Sequence, residues 1–188
     1  MCKSRMTMIA LLVVAILFLC HSHASLSQYS KGDYPDAKKV MRQLPLTYML
    51  QSLGNYTNLL CGYRRFYNET RKRENKTYEK SDLVFRYKDG RIFSQPRYVR
   101  EVINYTIYMA NRPEPELPAT SELQILFSNM NSCMITRNPH PSFPKACNLM
   151  VTKDRFFAPP QECFEKFKHH CGQQVFNYTI DGCPDPSK

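Results

Sequence analysis

Cysteine placement limits this chain more than any other feature. Of the cysteines that follow the first twenty residues, Cys61 stands alone, and Cys133, Cys147, Cys163, Cys171 and Cys183 crowd into the last third. That stretch also holds two short apolar runs, a helix-like segment and a final aromatic strand. Whatever the rest of the chain builds must be tied to this cassette. The first residues give the reason to expect bridges. Lys3 and Arg5 precede an apolar run from Met8 to Leu19, and Ser22-His23-Ala24 forms a small-x-small site. This is the pattern of a secretory leader, too short and wrongly flanked for a membrane anchor. Cleavage is expected after Ala24, giving a leader at 1–24 and one domain at 25–188. Cys2 and Cys20 leave with the leader. An even set of six in a secreted chain argues for three disulfides, although spacing alone leaves their pairing open.

Five Asn-x-Ser/Thr sequons support an extracellular glycoprotein: Asn55, Asn68, Asn75, Asn104 and Asn177. The formal net charge is +10. Much of it lies in Arg64-Arg65 and Arg71-Lys72-Arg73, where sequons at Asn68 and Asn75 favour a solvated hairpin over a polyanion-binding patch. After the leader no segment is apolar enough to span a bilayer. The partner classes expected from this are therefore neither nucleic acid nor membrane, and the expected state is a monomer.

Local patterns point to an all-β chain. Asp36 precedes Ala37-Lys38-Lys39-Val40-Met41-Arg42 and predicts one short helix closed by Pro45. Strands are predicted at Leu46 to Gln51, Asn58 to Tyr67, Tyr78 to Tyr87, a long Val99 to Met109, Leu123 to Phe127, Cys133 to Thr136, Cys147 to Thr152, and Val175 to Ile180. Lys88-Asp89-Gly90 reads as a hairpin turn and Arg112 to Pro118 as a proline-rich surface loop. In the cassette, Pro159-Pro160 opens a helix that Gly172 closes. Its Cys163, Phe167 and Cys171 fall at i, i+4 and i+8, near one face, so the helix should pack on the body and be bolted by disulfides at both ends.

The run from Phe127 through Cys133, then Cys147-Asn-Leu-Met-Val, then Pro160-Gln-Glu-Cys-Phe-Glu-Lys-Phe-Lys-His-His-Cys171-Gly and Tyr178 to Cys183 resembles the salivary lipocalins of ticks. That superfamily includes the histamine-binding proteins. Asp36-Ala-Lys-Lys39 and Tyr48-Met-Leu-Gln51 resemble its N-terminal part. The resemblance implies an eight-stranded antiparallel lipocalin barrel, with a short N-terminal helix and a C-terminal α-helix packed outside. Family pairing implies Cys61–Cys183 and Cys133–Cys163, with Cys147–Cys171 as the remaining bridge.

Alternation sets the candidate lining of such a barrel. With Asn104 outward, Val99, Glu101, Ile103, Tyr105, Ile107 and Met109 turn inward. Leu83, Phe85 and Tyr87 form a second inner row, and Leu123, Ile125 and Phe127 a third. The expected pocket is apolar and aromatic, with Glu101 as its acid. Amine-binding relatives carry acids and an aromatic where this chain has Met134, Asn148 and Met150. A buried ammonium needs a carboxylate partner. The expected ligand is therefore a small hydrophobic molecule: a sterol, fatty acid or leukotriene, as in the lipid-binding branches that include the japanin-like proteins. Arg64 or Arg65, if inward, would meet a lipid carboxylate. The alternatives are a biogenic amine (histamine or serotonin) held by Glu101, or a host immune protein bound through the loops Arg112 to Thr120 and Asn138 to Lys145. No catalytic pattern, cofactor motif or metal spacing stands out. His140 lies in a proline loop, and His169 and His170 are helix neighbours about 100° apart, poorly placed as an acid–base pair.

Overall fold

The computed structural model describes residues 30–183. The expected leader and its cleavage site lie outside the described residues. Helix α1, Ala37–Gln43, begins where expected: the Asp36 carboxylate accepts from the amides of Lys38 (2.9 Å) and Lys39 (3.3 Å). This satisfies two of the donors that a helix start leaves bare. Ala37, Val40 and Met41 form its buried face.

Nine strands follow: β1 Leu46–Ser52, β2 Leu59–Arg71, β3 Lys76–Tyr87, β4 Ile92–Ile103, β5 Thr106–Ala110, β6 Ser121–Ser128, β7 Cys133–Arg137, β8 Cys147–Val151 and β9 Phe176–Asn177. Strands β1 to β8 are antiparallel neighbours in order. The ring closes where Leu46, Thr47 and Tyr48 of β1 pair with Arg65, Arg64 and Tyr63 of β2. The short β9 pairs with Gln51 and Ser52 of β1 as an addition to the ring. Helix α2, Gln161–Cys171, follows a 3-10 turn at Lys153–Arg155 and ends at Gly172, whose φ of 99° suits glycine.

The eight barrel strands are not quite the eight expected. The long strand from Val99 to Met109 is two strands. Ile103 pairs with Thr106 across a two-residue turn at Asn104-Tyr105, and Asn104 has φ 53°. Asparagine tolerates this left-handed conformation, which makes it a hairpin residue. A strand period ran through the turn because both flanks are β-branched and aromatic. The expected last strand shrinks to β9, outside the ring.

Two apolar layers hold the fold. Inside the barrel, Met49, Phe66, Ile107, Met109, Ile125, Met134 and Met150 pack with the buried face of α1. Outside it, Phe167 and Cys163 of α2 cover Tyr48, Phe127, Ile135, Leu149 and Val151. The bridges are Cys61–Cys183, Cys133–Cys163 and Cys147–Cys171, the pairing that the resemblance implied. The last two fasten α2 at each end. An eleven-residue helix is marginal alone, so its order comes from these bridges and the buried Phe167 ring.

Candidate functional site: the barrel cavity

One end of the barrel is filled. The Ala37 amide donates to the Asn104 carbonyl (2.8 Å) and the Phe66 amide to that of Pro45 (2.7 Å), so α1 closes that end. The other end is ringed by the connections at 53–58, 88–91, 111–120 and 138–146. There a cavity of about 750 Å³ opens, within the size range of small-molecule sites.

Its walls come from alternating residues. Leu83 and Phe85 of β3, Phe93, Gln95 and Arg97 of β4, Tyr108 and Met109 of β5, and Leu123 of β6 line it, with Tyr56 from the β1–β2 connection and Asn148 of β8. Tyr56 packs on Phe85 (ring centroids 4.8 Å), and Phe85 stacks on Phe93 (6.2 Å). Gly62 lets this aromatic row lie against the wall: a Cβ there would stand 3.2 Å from Phe85 and 2.9 Å from the Met49 methyl. Tyr56 itself is set by a hydroxyl relay. Its amide donates to the Tyr178 oxygen (2.9 Å), and the Tyr178 hydroxyl donates to the Gly54 carbonyl (2.5 Å).

Arg64 also lines the cavity. It is 6% exposed. One guanidinium nitrogen donates to Ser81 Oγ (2.8 Å), while Nε has no partner among the described residues. Burial lowers its pKa to about 10, and the charge of Asp82 offsets part of that shift; it therefore stays cationic at neutral pH. The Thr47 hydroxyl, across the β1–β2 ladder from Arg64, is also buried without a partner, as is the Thr136 hydroxyl, across from Asn148. Asn148 accepts from Ser52 (2.7 Å). Buried polar atoms are almost always paired, so the unpaired Nε of Arg64, a lining residue, marks a place where a polar ligand group can sit. Glu122 is the one carboxylate in the lining, and it is exposed.

The predicted lining divides. Leu83, Phe85 and Leu123 line the cavity. Ile107, Ile125 and Tyr87 belong to the apolar cluster around it. Four expectations are corrected. Glu101 is exposed because a bulge between Val99 and Glu101 flips the alternation, so that Val99 and Val102 pack on the core. Ile103, beside the hairpin turn, is 46% exposed. Tyr105 is in the turn itself, edge-on to Tyr34 at 4.9 Å. Phe127 follows a register shift in β6 and lies under α2, outside the barrel. Met134 and Met150, where the resemblance lost an acid and an aromatic, sit in the barrel core, and Asn148, where it lost the other acid, faces the cavity. Arg64 was one of two arginines singled out; register with Thr47 and Leu83 decides between them. Phe93, Gln95 and Arg97 were missed because Pro96 argues against a strand, although an edge tolerates it.

All five sequon asparagines are exposed; the Asn177 carboxamide accepts from Gln51 (2.8 Å). His140 is at the mouth, whereas His170 on α2 meets Asp33 at 3.0 Å, beside the Lys166–Asp33 pair at 2.7 Å. Among the described residues no cluster of His, Cys, Asp or Glu is placed to hold a metal.

A closed antiparallel barrel with a plugged end, an apolar calyx and a helix fastened outside defines a lipocalin-type ligand-binding protein. The family model for tick histamine binding protein matches residues 26–183, and the chain belongs to that family. No individual curated protein matches it significantly. Among solved structures, the cockroach major allergen Per a 4 is similar at 10% identity, with 80% of this chain and 93% of the allergen covered and a TM-score of 0.51. Lobster apocrustacyanin A1 is similar at 11% identity, over 80% and 88% of the two chains, with a TM-score of 0.43. At such identity the likeness to Per a 4 concerns the fold alone. Family and disulfides together make this an extracellular small-ligand binder.

Proposed function

We propose that the chain is a non-catalytic carrier secreted in tick saliva that sequesters an apolar molecule bearing an acid group, a fatty acid or leukotriene, and so dampens host inflammatory responses. The observation that carries this is Arg64: a buried cation whose Nε has no partner among the described residues, beside the aromatic and aliphatic wall of Tyr56, Leu83, Phe85 and Leu123. A carboxylate would complete its bonding through charge-assisted hydrogen bonds, while the tail lies along Tyr56, Leu83, Phe85 and Leu123. Sterols lack that anion, which puts them second among apolar ligands.

An amine fits less well. Glu101 is on the outside, and an ammonium beside Arg64 would be repelled by about 4 kcal/mol at 4 Å and an effective dielectric of about 20. Native mass spectrometry of protein secreted from insect cells tests the reading, with fatty acids and leukotrienes set against histamine and serotonin. Adducts with the acids are expected. A barrel that stays empty with the acids but takes up an amine overturns the proposal.

A further inference from the structure

Tyr56 is shared by two recesses. Besides lining the cavity, it borders a groove of about 300 Å³ outside the barrel, together with Asn55, Leu60, Lys88, Phe176 and Tyr178. No other residue lies in both linings, so Tyr56 is the partition between them. Its ring is closely fitted. It folds back over Gly54, where a Cβ would stand 2.8 Å from the ring, and it packs on Phe85 of the cavity wall (ring centroids 4.8 Å).

What holds this partition is not the barrel. The β1–β2 connection is fixed near its ends, where the Leu53 amide donates to the Cys147 carbonyl (3.1 Å) and the Lys88 amide to that of Asn58 (2.9 Å). Between those points, among the described residues, both hydrogen bonds that tie the backbone of 54–56 to another element involve the Tyr178 hydroxyl. It accepts from the Tyr56 amide (2.9 Å) and donates to the Gly54 carbonyl (2.5 Å). Burial raises the pKa of that phenol, so it keeps the proton it donates at neutral pH. Tyr178 is itself anchored on the strap 176–183. Its amide donates to the Leu50 carbonyl (2.9 Å), Arg86 donates to the Gly182 carbonyl (2.7 Å), and Cys183 is bridged to Cys61.

We propose that Tyr178 is a positioning residue for the cavity: its hydroxyl latches the segment 54–56, so that Tyr56 walls the apolar tail of a bound ligand off from the outer groove and sets how fast that ligand leaves. Tyr178 touches no ligand and acts through Tyr56. The latch stands on the two hydrogen bonds; its effect on a fatty acid rests on the carrier reading above.

Tyr178→Phe tests it, because the ring stays and both bonds go. Release is followed by stopped-flow fluorescence with two probes: cis-parinaric acid, which carries a carboxylate, and Nile red, which is uncharged and reports on the cavity alone. Release of both should quicken roughly 3- to 10-fold, the worth of a lost hydrogen bond, with association little changed. Hydrogen exchange should rise at 54–56. A residue that only stabilises the fold would act whether or not Tyr56 is present, so the substitution is repeated in a Tyr56→Ala background, where it should change release by less than about twofold. Gln51→Ala removes another bond to the strap, the one to Asn177 (2.8 Å), and spares the latch; it should release both probes as the parent does. Unchanged release from Tyr178→Phe, an equal acceleration in the Tyr56→Ala background, or an equal acceleration by Gln51→Ala overturns the latch. Nile red released faster without any binding of parinaric acid removes only the carrier reading. Parinaric acid bound but released at the parent rate removes only the latch, and a parent that binds neither probe removes both.

Discussion

The guanidinium of Arg64 donates to the hydroxyl of Ser81 at 2.8 Å across the β2–β3 pair, and its Nε has no partner among the described residues beside the cavity. A cation in that position is costly in the empty barrel and useful in a filled one. Its pKa, lowered to about 10, carries the same message: burial disfavours the charge that the cavity holds at neutral pH.

Arg64→Met therefore separates stability from function. Replacing a poorly compensated buried charge with an apolar side chain of similar length is expected to stabilise the ligand-free protein by on the order of 1–3 kcal/mol. Affinity for a carboxylic lipid should fall about 10- to 100-fold, the worth of a hydrogen bond to a charged group. Scanning calorimetry and a fluorescent fatty-acid displacement assay give the two numbers. A variant that keeps full affinity would remove Arg64 from the site.

The pH dependence follows with its sign. Folding lowers the Arg64 pKa, so the charged native state costs stability below about pH 10, and that cost shrinks as pH rises from there toward the unfolded value. Binding a carboxylate favours the cation. Affinity for a fatty acid should be flat through neutrality and decline as pH rises through about 10. It should also decline in acid, as the ligand carboxyl takes up its proton. Titration by isothermal calorimetry at several pH values checks both limbs; a neutral sterol should show neither.

Glu101→Ala is expected to change neither fatty-acid nor histamine affinity by more than about twofold, as an exposed charge contributes little. Strong loss of histamine binding would restore the amine reading.

The two bridges on α2 close loops of 24 and 30 residues. Removing both, as Cys133→Ala/Cys163→Ala with Cys147→Ala/Cys171→Ala, should cost about 3 kcal/mol for each bridge in the chain-entropy picture. Hydrogen exchange should then rise first across Gln161–Cys171, while β2 and β3 stay protected.

Asn104 is held at φ 53° in the β4–β5 turn. Asn104→Gly should fold with nearly unchanged stability, while Asn104→Val should lose roughly 1–2 kcal/mol. Both remove the sequon, so their difference isolates backbone strain in a denaturant titration.

The local elements were legible for local reasons. The capping aspartate of α1, the glycine after α2 and the i, i+4, i+8 row of Cys163, Phe167 and Cys171 are short-range patterns, and the structure follows them. The cavity lining was half legible. Leu83, Phe85 and Leu123 lie on strand stretches that keep the two-residue period, ahead of any register shift, so parity placed them. Glu101 and Phe127 lie beyond a bulge or register shift. One extra residue there exchanges inside for outside, and nothing in the local composition announces it.

The six cysteines and the succession of short strand-like patterns led by themselves to a disulfide-stapled β fold, and the missing acids at Met134 and Asn148 turned the expectation away from amines. Only tertiary structure decided which arginine enters the barrel. Arg64 and Arg65 are adjacent and chemically identical, and strand pairing with Thr47 and Leu46 alone sends one inward and the other to solvent. The charge that selects a ligand is thus set by register, a long-range property that no short window of sequence contains.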